Sequence, residues 1–178
     1  VTGTSSIALA GGRACGSAND IAIGQNSYTI VGGQSNMVIG KNAAIKNSYS
    51  LATSYGQVWG VGAGINGNYY SNSAYGSVLI GNYGNVCGAK SIGIGGGAYV
   101  RADNPGGASN SGFDAGNIGI GYGVAACGLH TVSIGHYANV QSSQSVAIGY
   151  LARAGTNATG STVIGKGSCS INRGNVTA

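Results

Sequence analysis

Glutamate is absent from this chain, proline occurs once, and charged residues make up only 6% of it. The single proline, with no Gly-X-Y period, excludes collagen and a Pro/Gly-rich linker. Disordered chains carry more charge and fewer apolar residues than the 43% found here. No apolar run approaches the ~20 residues of a membrane span, so no membrane segment is expected. Nor is there a signal peptide or stop-transfer pattern, and a role outside the cell would make this a mature piece of something longer. The acidic residues are three aspartates, and no Ser-His-Asp order is apparent. Catalysis is therefore not expected. The net charge of +5 comes from eight scattered Lys and Arg. Nucleic-acid binding needs clustered cations and is not expected. Four cysteines, Cys15, Cys87, Cys127 and Cys169, stand far apart with no Cys-x-x-Cys, which is neither a zinc pattern nor a disulfide-dense scaffold.

Glycine, by contrast, is abundant: 36 of 178 residues. Many of these glycines close one recurring phrase. Ser145-Val146-Ala147-Ile148-Gly149 returns as Val132-Ser133-Ile134-Gly135, Ile118-Gly119-Ile120-Gly121 and Ile92-Gly93-Ile94-Gly95. Val78-Leu79-Ile80-Gly81, Met37-Val38-Ile39-Gly40, Ile21-Ala22-Ile23-Gly24 and Thr162-Val163-Ile164-Gly165 complete the series. Neighbouring anchors lie 14 or 16 residues apart in the regular stretches. Repeats this short are coils of a solenoid, not domains. The whole of 1–178 reads as one all-β domain, a parallel β-roll of ~14-residue coils.

Counted from each anchor glycine, positions −3 and −1 are large and aliphatic and −2 is small. Positions +3 and +5 alternate in the same way, as in Ala138/Val140 and Ala43/Ile45. Period-two alternation marks strands. It predicts strand, glycine corner, short strand and polar turn, with −3, −1, +3 and +5 facing a thin core. The −2 row, including Ala22, Val38, Gly93, Gly119 and Ala147, then forms an outer stripe. So long an apolar stripe marks an interface, and lateral association of several rolls is the expectation. Two stretches break the ruler. Irregular coils are expected over 55–77, after a weak coil at Leu51-Ala52-Thr53-Ser54, and an inserted loop over 101–116.

Several groups invite chemistry. Gly62-Ala63-Gly64-Ile65-Asn66-Gly67 spells the dinucleotide fingerprint, but no helix pattern follows, and in so glycine-rich a chain chance supplies such matches. His130 and His136 are six apart, the wrong spacing for a metal pair on one strand face. Asp103 and Asp114, with Asn104 and Asn110, are few ligands for calcium. No metal or cofactor is expected. Cys87 and Cys127 share position +6 two coils apart, roughly 9–10 Å, beyond disulfide reach; buried free thiols are expected. Trp59, Tyr69, Tyr70 and Phe113 interrupt the repeat. With Ser, Gly and Asn around them they give a paratope-like composition. Together with Asp103 and Asp114 they are the candidate receptor or glycan contacts.

The phrase Ser145-Val146-Ala147-Ile148-Gly149-Tyr150-Leu151-Ala152-Arg153-Ala154 resembles the head repeat of the YadA-like trimeric autotransporter adhesins, and the likeness covers about eight coils. That resemblance implies a left-handed β-roll, a homotrimer, and an extracellular, non-enzymatic role in attachment to a cell-surface receptor, with the anchor supplied by another segment. Similar repeats occur in phage tail fibres, which assemble in a reducing cytosol where free thiols persist. The four cysteines fit a virion fibre better than a bacterial surface. A purely structural spacer is the alternative of a different class.

Overall fold

A computed structural model of the chain describes residues 4–15, 18–29, 34–47, 55–67, 76–101 and 116–170. They form a parallel β-solenoid in which each coil gives one strand to each of two ten-stranded sheets. The first sheet contains β1 (Ile7–Leu9), β3 (Ile21–Ile23), β5 (Met37–Ile39), β7 (Gln57–Trp59), β9 (Val78–Ile80), β11 (Ile92–Ile94), β13 (Ile118–Ile120), β15 (Val132–Ile134), β17 (Val146–Ile148) and β19 (Thr162–Ile164). The second contains β2 (Arg13–Ala14), β4 (Tyr28–Thr29), β6 (Ala44–Asn47), β8 (Gly64–Gly67), β10 (Asn85–Cys87), β12 (Tyr99–Arg101), β14 (Ala125–Cys127), β16 (Asn139–Val140), β18 (Arg153–Ala154) and β20 (Cys169–Ser170). Every neighbouring pair is parallel and in register with the repeat: Ile120 pairs with Ile134, and Ile134 with Ile148.

The sheets resolve both breaks in the ruler. β5 pairs directly with β7, placing Ile39 opposite Trp59, and β7 pairs with β9, placing Trp59 opposite Ile80. Gly60 is thus the anchor that the sequence reading missed, and the weak coil expected at Leu51-Ala52-Thr53-Ser54 lies outside the described residues. Similarly, β11 pairs with β13 and β12 with β14, so the register runs unbroken across 102–115, which lie outside the described residues. Asn117 ties the described chain on one side of that segment to the chain on the other. Its amide donates to the carbonyls of Arg101 (3.0 Å) and Gly128 (2.8 Å), and its Oδ1 accepts from the Thr131 amide at 2.9 Å.

The expected facing of the first sheet is inverted. Ala22, Val38 and Ala147 are fully buried inside the coil, and Gly93 and Gly119 are buried with them. These five residues are core and cannot form a surface stripe. Alternation shows which residues share a face, but not which face is inside. The gap between the sheets decides that, and it is too narrow for two large side chains per strand. A Cβ on Gly93 would lie 3.0 Å from Val86 and 3.1 Å from Leu79, and one on Gly119 would lie 2.7 Å from Val100. Leu79 fits because Gly84 faces it, where a Cβ would come within 2.8 Å. Large and small residues interdigitate to fill the section. Positions +3 and +5 do face inward, as in Ala138, Val140, Ala152 and Ala154.

A second inward row, at −4, is polar: Asp20, Asn36, Ser77, Ser91, Asn117, Thr131, Ser145 and Ser161, all buried. Most of these side chains face the next coil's backbone at the corner and accept from an amide there. Asp20 Oδ1 accepts from the Asn36 amide (2.9 Å), Asn36 Oδ1 from the Gly56 amide (3.0 Å), and Ser145 Oγ from the Ser161 amide (3.2 Å). Asp20 Oδ2 also accepts from Thr29 Oγ1 at 2.9 Å. Leaving such buried donors unmade costs ~1–3 kcal/mol each, so this internal ladder keeps the coils in step.

Ser133 departs from that economy. It occupies a −2 position between Gly119 and Ala147, and its buried hydroxyl has no hydrogen-bond partner. Ser133→Ala is expected to raise stability by about 1 kcal/mol, because it removes an unpaired buried hydroxyl. A later denaturant midpoint with an unchanged slope would show it; an earlier midpoint would mean that the hydroxyl is satisfied.

Candidate functional site

The three outer surfaces of the roll differ in chemistry. The first sheet's outer face carries positions −3 and −1. On its ten strands these are twenty side chains, of which Gln57 and Thr162 alone are polar. Ile39, Ile80, Ile94 and Ile164 are exposed, and Ile21, Ile23, Ile118, Ile120 and Ile134 are half-buried. Nine strand steps at ~4.8 Å make this apolar face about 43 Å long. Its strands, such as Val78-Leu79-Ile80, are apolar on both sides, the composition of a parallel sheet covered on both faces. Trp59 belongs here. It is 43% exposed and stands in the −1 row between Ile39 and Ile80. It therefore does not interrupt the repeat.

The second sheet alternates properly, with Arg13, Lys46, Asn85, Tyr99, Arg101 and Arg153 outward, the pattern of a solvated face. All four cysteines lie on or beside this side, and none is in a disulfide. Cys15, Cys87 and Cys127 are half-buried and Cys169 is exposed, which corrects the expectation of buried thiols. Cys87 and Cys127 both pair with Arg101 from opposite sides, so one strand separates them.

The third surface is the corner that follows each anchor glycine. Its backbone hydrogen bonds continue the ladder between coils: the Tyr137 amide donates to the Tyr122 carbonyl (2.9 Å), Leu151 to His136 (3.0 Å), and Gly167 to Tyr150 (2.8 Å). This stitching stacks the +1 residues of successive coils. Tyr122 and His136 stack at 5.4 Å with 17° between their planes, and His136 and Tyr150 at 5.4 Å with 10°. Lys166 continues the column, its Nζ 6.0 Å from the Tyr150 ring centroid. Tyr137, at +2, stands edge-on to His136 (4.4 Å) and Tyr122 (5.7 Å). Gly123 makes room for it, since a Cβ there would overlap the Tyr137 ring.

Of the sequence-predicted contacts, Trp59 alone can be placed; Tyr69, Tyr70, Phe113, Asp103 and Asp114 lie outside the described residues, as do Asn104 and Asn110. The aromatic column was not anticipated. Its signal was present, because Tyr122, His136 and Tyr150 each directly follow an anchor glycine. His130 sits at the opposite corner in a left-handed backbone conformation (φ 55°), away from His136. Among the described residues no group of three or more His, Cys, Asp or Glu is placed to hold a metal. The dinucleotide-like stretch enters strand β8 rather than a helix. Among the described residues no helix is long and apolar enough to cross a membrane. No protein-family model matches the chain, and no curated protein does.

Proposed function

We propose that this chain is a non-enzymatic attachment module that works as a homotrimer, with its outer Ile/Val face turned toward the threefold axis. The observation that carries this is the apolar outer face of the first sheet. A soluble chain seldom leaves a patch larger than a few hundred Å² uncovered. Identical copies of the same straight face cover one another without needing a different partner. The resemblance of the repeat to YadA-like heads supports threefold symmetry, a left-handed roll of ~14-residue coils, and an extracellular setting. Four cysteines with no disulfide among them favour a phage tail fibre over a bacterial adhesin as the setting. In both, three equivalent outer surfaces would sum weak contacts to a receptor or surface glycan through effective concentration.

The test is sedimentation equilibrium of the purified chain, followed by cell binding. The expected mass is three times the 17.3 kDa chain. The assembly should be retained on cells at concentrations where a monomerised variant is not. A chain that sediments singly, or a trimer that no cell or surface glycan retains, would overturn the reading.

A further inference from the structure

We infer that the corner ledge of Tyr122, His136, Tyr137, Tyr150 and Lys166 binds an extended acidic polysaccharide lying along the roll axis. The inference rests on the attachment reading and gives it a ligand class and a site. The broad faces of Tyr122, His136 and Tyr150 are turned on one another. What they leave to solvent is their edges: two phenol hydroxyls and an imidazole, one per coil. All three residues are exposed. The stack and the stitched backbone beneath it hold the side chains in place before any ligand arrives, so little further ordering is lost on binding.

The chemistry selects among polymers. Nucleic-acid bases need free ring faces to stack on, and these rings cover each other. A peptide strand repeats its same-face side chains every ~6.6–6.8 Å, out of step with a column whose rings recur every 5.4 Å. A polysaccharide carries hydroxyls on every sugar residue and so offers one to each phenol and imidazole in turn. Charge selects the acidic kind. Among the described residues the only carboxylate is that of Asp20, which is buried, whereas Lys41, Lys46, Lys90, Arg153 and Lys166 are exposed. Lys166 ends the column and would meet a sugar carboxylate there.

The test is affinity electrophoresis in gels containing sodium alginate, a soluble polymer of carboxylated sugars, against hydroxyethylcellulose, an extended neutral one. Retardation by alginate and not by hydroxyethylcellulose is expected. The double variant Tyr122→Phe/Tyr150→Phe keeps the stack and removes the hydroxyls; it should bind alginate about tenfold more weakly, some 1.4 kcal/mol. Lys166→Ala should weaken binding several-fold while Arg13→Ser, on the second sheet, changes it little. Absence of retardation, equal retardation by the neutral polymer, undiminished binding of the double variant, or equal losses from Lys166→Ala and Arg13→Ser would each overturn the inference. Sedimentation of the same samples separates the two readings. A trimer that ignores alginate refutes the ledge and leaves the attachment module standing, whereas a monomer refutes the assembly.

Discussion

The double variant Ile120→Asp/Ile134→Asp is expected to sediment as a single 17.3 kDa chain where the parent sediments as an assembly. The two side chains are register partners on neighbouring strands of the first sheet, both pointing out of the roll. In the isolated chain they meet water, so carboxylates there cost the coil little. Against sister copies they would be desolvated with no cation nearby, since the outward positions of this sheet carry none. Removing an unpaired carboxylate from water costs several kcal/mol even after relaxation, and three copies would bring six of them together. The loss exceeds what a protein interface ordinarily has in reserve. The paired conservative variant Ile120→Val/Ile134→Val should keep the parent mass. If the aspartate variant retained the parent mass, the apolar face would not be the contact between copies.

That prediction is made on residues that a reading of the sequence assigns to the interior, and the reason is instructive. The repetition itself, most of the anchor glycines, the all-β parallel class and the inward +3/+5 positions were legible, because each is a matter of spacing; the anchor at Gly60 was not. The phase of the first strand was not. Ile21 and Ile23 are larger and more apolar than Ala22, and the ordinary rule puts them inside. The polar −4 row held the missing information. Asp20, Asn36 and Ser145 alternate in phase with the −2 residues, and their side chains reach backbone amides that only an inward position exposes. A strand with small and polar residues on one face and isoleucine on the other is inward on the small face when the coil is narrow. Trp59 misled for a related reason. Its bulk suggested an interruption, but an outward −1 position has no size limit. The aromatic column went unread because aromatic residues were sought where the repeat fails rather than at a fixed place within it.

Gly135→Ala tests the other half of the structure, the corner itself. Gly135 has φ 132°, a region that side-chain-bearing residues rarely occupy. Its amide donates to the Ile120 carbonyl at 2.8 Å, and the Gly149 amide donates to the Ile134 carbonyl at 2.8 Å. A Cβ on Gly135 would overlap the Gly149 carbonyl oxygen and lie 2.8 Å from its carbon. Both neighbours are backbone, so no side chain can swing aside, and relief requires parting the two coils. The expected cost is about 3 kcal/mol or more, combining the strained backbone with lost ladder bonds. Gly160→Ala is the comparison. Its φ of 75° is also left-handed, but nothing lies within 4 Å of the added carbon, so about 1 kcal/mol is expected. Denaturant midpoints at one fixed chain concentration would rank the two, because assembly makes stability concentration-dependent. In a solenoid each coil contacts only its neighbours. Hydrogen exchange should therefore speed up first at the amides of β15 and β17, while those of β3 and β5 stay protected. Equal midpoints for the two variants would mean that the glycine column is a matter of backbone conformation alone, with no demand for close approach between coils.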